Sequence, residues 1–136
     1  MDNELATVRF EPGPGVNFTR AENILFVKKG WGHERWIYNG SKYCGKILFF
    51  EKDKKCSFHY HPIKDEVLFL HSGQITLKYG YDDDLEGALT LLMQPGMAFH
   101  VTPGLRHQMI AEEESLIYEF STHHEDEDSI RVVRGD

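Results

Sequence analysis

The sequence predicts an all-β domain, a double-sheet jelly-roll barrel with an extended N-terminal arm, and three observations carry that expectation. From residue 24 onward the chain runs as short apolar segments with almost no stretch at helical period. The segments are separated by turn chemistry: Gly40-Ser41, the charged run Lys52 to Lys55, Pro95-Gly96 and Pro103-Gly104. At 136 residues the chain has room for one domain around one core.

The elements follow in order. Residues 1–23 contain EPGPGVNF, whose two prolines and two glycines exclude a helix and favour an extended arm lying along another element or a partner chain. Strands are then expected at ILFVKK, ERWIYN, CGKILFF, CSFHYH, EVLFLHS, QITLKYG, ALTLLMQ, AFHVT, HQMIAE and SLIYEFS, with a loop from Asp82 to Gly87. Short strands at this spacing suit two stacked sheets, which limit exposed edges. The barrel occupies residues 24–122, and residues 123–136 form an acidic tail packing on it. No internal repeat, low-complexity tract or linker is visible.

Composition bounds the function. Hydrophobic residues make up 40% and charged ones 27%, the profile of a soluble globular protein. A formal net charge of −7 opposes binding to a phosphate backbone, so nucleic acid is not an expected partner and a small molecule is. The acidic runs Asp82 to Asp84 and Glu125 to Asp128 are read as solvated surface. The N-terminus lacks a signal-peptide pattern and no apolar run is long enough to span a membrane, so a cytoplasmic protein is expected. Cys44 and Cys56 read as reduced thiols; Cys56, three residues before His59, is either a buried structural thiol or a neighbour of the site described next.

The chemistry concentrates between residues 59 and 107. His59 and His61 are two apart in CSFHYH, so both side chains leave one face of the strand and can converge on one ion. Glu66 follows after a turn, and His107 comes just after Pro103-Gly104. Three imidazoles and a carboxylate suit one borderline divalent ion: Zn, Fe, Mn, Ni or Co. An HxH pair alone is also compatible with two ordinary surface or core histidines; the added Glu66, Gly73 and His107 make the pattern specific.

With those residues the chain resembles the cupin superfamily, whose motifs are G-x5-H-x-H-x3or4-E-x6-G and G-x5-P-x-G-x2-H-x3-N. His59, His61, Glu66 and Gly73 match the first, and Gly96, Gly104 and His107 the second, so the resemblance implies a cupin barrel with all four metal positions filled. Asp53 stands for the leading glycine, Thr102 for the proline, with Pro103 one place later, and Ala111 for the closing asparagine. The shifted proline raises the prospect of a redirected turn that leaves His107 short of the ion.

Narrower resemblances lie in the flanks. Gly30-Trp31-Gly32-His33-Glu34, Lys46 and the segment Ser121 to Arg131 look like the cupin domain of mannose-6-phosphate isomerases, and the HxHxxKxE spacing from His59 through Lys64 to Glu66 resembles cupin-type lyxose isomerases. These imply aldose–ketose interconversion, in which a metal polarises substrate oxygens while a base moves a proton. Lys64 is a candidate for proton transfer or charge holding, or a solvated loop lysine. Glu119 is a candidate base, or faces water at its place in the strand alternation. Lys46 and Arg106 are candidates for binding a phosphate or carboxylate. His100 is a substrate-binding candidate if its face is the pocket one. Trp31, Trp36, Tyr38 and Tyr43 either stack on a sugar or fill the core. His123 and His124 are expected to be exposed.

The sequence-based reading is therefore a metal-dependent sugar or sugar-phosphate isomerase or epimerase, expected to be a homodimer from its resemblance to small cupins. An Fe(II)-dependent cupin dioxygenase and a non-catalytic, metal-anchored sugar-binding module stand as alternatives.

Overall fold

Alternation along the strands builds the barrel. In the computed structural model, residues 11–13 and 16–136 are described; residues 1–10, and with them much of the expected arm, lie outside the described residues. All ten expected strands form: β3 (Leu25–Lys29), β4 (Gly32–Asn39), β5 (Cys44–Phe50), β6 (Phe58–Tyr60), β7 (Glu66–Ser72), β8 (Ile75–Gly80), β9 (Leu89–Met93), β10 (Ala98–Val101), β11 (Arg106–Ala111) and β12 (Ser115–Ser121). They are preceded by a paired β1 (Glu11–Gly13) and β2 (Val16–Phe18), and followed by β13 (Ile130–Val133).

Two antiparallel sheets result. One has six strands in the order β10-β7-β12-β5-β4-β3, the other five in the order β13-β6-β11-β8-β9. The tail is thus a sheet strand: β13 pairs with β6, with Arg131 opposite His59. Sequence reading missed it because IRVV is short and largely exposed.

Each inward row changes character along its length. On β5 the buried set is Cys44, Lys46, Leu48 and Phe50; on β7 it is Glu66, Leu68 and Leu70; on β12 it is Ser115, Ile117 and Glu119. In register, Glu119 sits beside Lys46, and Ile117 beside Leu48. One end of the interior is therefore packed with Leu48, Phe50, Leu68, Leu70, Ile75, Leu77 and Ile117, while the other carries charge. Truncating a fully buried side chain such as Phe50 in the apolar end would cost about 3–5 kcal/mol.

The motif turns close by backbone geometry. Gly73, Gly96 and Gly104 all have positive φ, and a side chain on Gly73 would meet Ser115 Oγ at 2.2 Å. Asp53, at the place of the missing motif glycine, has a φ of 68° and so takes the left-handed conformation itself, one that Asp tolerates better than most residues. The shifted proline does not redirect the second turn. Leu105 N donates to Thr102 O at 3.1 Å and Gly104 N to His61 O at 2.8 Å, so the turn is anchored to the ligand strand.

Candidate metal centre

Strand pairing brings the histidines together. His107 on β11 pairs directly with His59 on β6, and directly opposed residues project on the same face. Period 2 adds His61. The ring centroids lie 4.3 Å apart for His59 and His107, 5.0 Å for His59 and His61, and 5.4 Å for His61 and His107. One nitrogen from each ring lies within 4.8 Å of the other two, a group that can hold a metal ion.

The protein holds each ring from behind. His59 Nδ1 lies 2.8 Å from Ser57 O, His61 Nδ1 3.1 Å from Asp128 O, and His107 Nδ1 3.0 Å from Leu105 O. A carbonyl oxygen only accepts, so each Nδ1 carries the proton and each Nε2 keeps its lone pair, the arrangement that orients imidazole ligands. Burial, with the neighbouring imidazoles, holds His59 well below the usual histidine pKa, and burial also lowers His107, so both are neutral ligands at pH 7.

Glu66 completes the picture. Its Oε2 is 3.0 Å from His61 Nε2, yet no donor is aligned on this buried oxygen. Burial raises its pKa, but Lys64 and the facing histidines lower it further, and the net value lies well below the carboxylate norm. A buried carboxylate oxygen facing imidazole lone pairs is costly without a cation between them. The donor set thus fits a divalent ion.

Behind this group lies a matched network of charges. Lys64 Nζ reaches Glu119 Oε2 at 3.1 Å, Glu66 Oε2 at 3.4 Å and His124 Nδ1 at 3.0 Å. Burial opposes the Lys64 charge, but Glu119 and Glu66 more than offset it and hold its pKa above the usual lysine value. Burial pushes His124 far below the histidine norm, so it is a neutral acceptor for Lys64 and donates through Nε2 to Asp126 at 3.0 Å. Lys46 Nζ lies 3.4 Å from Glu34 Oε1 and 4.0 Å over the Trp36 ring, and Trp36 Nε1 donates to the same oxygen at 2.8 Å. Glu34, Lys46, Lys64, Glu119, His124 and the three histidines line one cavity of about 750 Å³, within the range of small-molecule sites.

Several expected site residues fall elsewhere. Arg106 follows the turn one place before His107 and so projects to the opposite face, over the Tyr60 ring at 3.7 Å and bonded to Asp83 Oδ1 and Gly104 O. His100 is exposed and 2.6 Å from Asp65 Oδ1, because Val101 takes the inward position. Tyr43 packs at a tilt against Tyr38, ring centroids 4.8 Å apart, and is 62% exposed. None of the three lines the cavity. Trp31 does, stacked on Phe50 at 4.1 Å. Cys56 also lines it, but burial raises its thiol pKa to about 12 and its sulfur accepts from Met109 N, so it is a structural thiol.

His124 corrects the expectation of an exposed tail histidine. It is 7% exposed, and Asn39 clasps its backbone at 2.9 and 3.0 Å. The acidic run is likewise not merely solvated: Asp128 accepts from the backbone N of Ile63 and Lys64 at 2.9 and 2.7 Å. Contacts across 60 to 85 residues leave no local signal.

No protein-family model and no curated protein matches the sequence. Solved structures do. CapF, a capsular polysaccharide assembling protein from Staphylococcus aureus, superposes with a TM-score of 0.70 at 12% identity, over 87% of this chain and 36% of CapF. The chain therefore spans little more than a third of that protein's length. An RmlC-like cupin from Shewanella frigidimarina gives 0.66 at 12% identity, over 81% of this chain and 93% of that one. KdgF from Halomonas sp. gives 0.60 at 18% identity, over 70% and 81%. The chain thus has the barrel fold of these cupin structures, with a histidine group that can hold a metal ion. Among the described residues no helix is long and apolar enough to cross a membrane.

Proposed function

We propose that the protein is a cytoplasmic, metal-dependent sugar or sugar-phosphate isomerase or epimerase acting on a small polar carbohydrate. The observation that carries this reading is the Lys64–Glu119 pair, 3.1 Å apart and directly behind the metal-competent group in one cavity. His59, His61, Glu66 and His107 would hold a divalent ion, Zn, Fe, Mn, Ni or Co, which when bound supplies Lewis-acid polarisation of substrate oxygens. Glu119 takes and returns the proton moved between neighbouring carbons. Lys64, held positive, balances the carboxylate charge and donates to a substrate oxygen.

Two further facts support the reading. Gly30, Trp31, Glu34, Lys46 and Arg131, from the flanks that resemble mannose-6-phosphate isomerases, all line this cavity. CapF, about a third of which shares this fold, is named for capsular polysaccharide assembly, which supports a carbohydrate reading by analogy.

The test is incubation of metal-loaded protein with mannose 6-phosphate, fructose 6-phosphate and free pentoses. Interconversion is expected, with Glu119→Gln lowering kcat by about 10²–10⁴-fold at unchanged metal content. No interconversion across the panel, with metal present, contradicts it. The three-histidine, one-glutamate set also suits an Fe(II) dioxygenase; oxygen uptake with iron but not zinc would replace the isomerase reading. The proposal includes a homodimer, supported by Phe26 and Phe120 exposed on the outer face of the six-stranded sheet. Light scattering at micromolar concentration checks it, and a monomer contradicts it.

A further inference from the structure

The cavity differs in charge between its floor and its mouth. On the floor, Lys46 and Lys64 are buried and matched by Glu34, Glu66 and Glu119. The more accessible lining residues mark the mouth, and three cations gather there: the half-buried Lys29 and the exposed Arg131 and Arg134. Arg131 is the cross-strand partner of His59, so it projects on the same face as that ring. Lys29 follows Leu25 and Val27 in the inward set of β3, and its charge helps to lower the pKa of Glu34. Lys28 also borders the cavity, but the alternation turns its side chain outward.

Among the described residues none of these three cations forms an ion pair. The carboxylates beside them are engaged. Asp126 accepts from His124 at 3.0 Å, and Asp136 Oδ2 accepts from Lys55 N at 2.8 Å. Hydrogen bonds from neutral donors leave both carboxylates charged, so these cations exceed the side-chain carboxylates beside them by three to two, an excess of the opposite sign to the net charge of −7.

We propose that the mouth is an anion-binding subsite in which Lys29, Arg131 and Arg134 hold a phosphate or carboxylate group of the substrate at the rim of the cavity, on the β13 side of the histidines. The inference rests on the reading of the cavity as a carbohydrate site, and it narrows the substrate to an acidic or phosphorylated sugar. The two guanidinium groups supply forked donors matched to such an oxyanion, and Lys29 adds a point charge.

Calorimetric titration of the zinc-loaded full chain tests it with pairs that differ in the anionic group: fructose against fructose 6-phosphate, and glucose against glucuronate. At least one anionic member is expected to bind about tenfold or more tightly than its neutral partner, the first pair reporting phosphate and the second carboxylate. The advantage is expected to vanish in the R131Q/R134Q double variant, with zinc content unchanged as the check on folding. Equal affinity within both pairs, no binding by any of the four, or an advantage that survives the double variant would overturn it. An anion preference without turnover would sink the isomerase reading and leave this one standing. Turnover of a sugar phosphate with a KM unmoved in the double variant would do the reverse.

Discussion

Lys64 Nζ lies 3.0 Å from His124 Nδ1, and this contact joins the loop between the metal-site strands to the far end of the chain. His124 accepts because burial keeps it neutral, and its other nitrogen is spent on Asp126. Replacing it with Leu strands a buried ammonium donor, whose lost hydrogen bond is worth about 1.5–3 kcal/mol. Chemical denaturation of His124→Leu is expected to show a loss of that size, and His124→Gln, which restores an acceptor, to recover most of it. Equal stability of wild type and His124→Leu contradicts the assignment.

Acid should weaken the metal-free fold. His59, His107 and His124 all have pKa values depressed chiefly by burial. The folded-state values are the lower ones, so the unfolded chain takes up protons first as pH falls. Their stabilising contribution is full above the unfolded value of about 6.5 and is lost progressively below it, by up to about 1.4 kcal/mol per pH unit for each group. The melting temperature of the metal-free protein is expected to be flat from about pH 8 to about pH 7 and to drop between about pH 6.5 and about pH 5. A melting temperature that rises over the lower range contradicts this.

The backbone departures from the cupin motifs give a paired test. Gly73→Ala puts a side chain where φ is +95° and Ser115 Oγ lies 2.2 Å away, with backbone of Glu114 behind it. Strain and overlap together are expected to cost about 1–3 kcal/mol. Asp53→Gly, at a φ of 68°, is expected to be close to neutral, within about 1 kcal/mol, because relief of the strain offsets the added freedom of the unfolded chain. Thermal melts of the two variants check both halves.

Asp128 braces the ligand loop from the acidic tail. Its carboxylate holds the backbone N of Ile63 and Lys64, while its carbonyl oxygen holds His61 Nδ1. Asp128→Ala keeps all the ligands but releases the loop, and metal affinity is expected to fall about 10-fold or more. Competition with a coloured chelator measures it, and unchanged affinity contradicts the bracing role.

The residues that sequence reading placed correctly are those whose geometry is local. Two-residue periodicity put His59 and His61 on one face, turn chemistry marked Gly96 and Gly104, and the motif resemblance marked Gly73, and all three glycines take positive φ. The same alternation decides that Arg106 and His100 face away, but their registers could be known only once Met109 and Val101 were seen to be buried. His124 and Asp128 were misread, and Arg131 was noted only as part of a flank, because their placement depends on contacts between the tail and the ligand strand β6, across some 70 residues of chain. A run of acidic residues looks the same in sequence whether it is solvated or clasps a loop.

The central claim is that His59, His61 and His107 hold a metal. Elemental analysis of the purified protein, after incubation with each of Zn, Mn, Fe, Co and Ni and removal of the free ion, tests it most directly. The expected result is close to one divalent ion per chain for at least one metal, lost in His59→Ala and in His107→Ala while the fold is retained. A wild-type protein that keeps none of the five, or a His59→Ala/His107→Ala double variant that keeps a full equivalent, would contradict it.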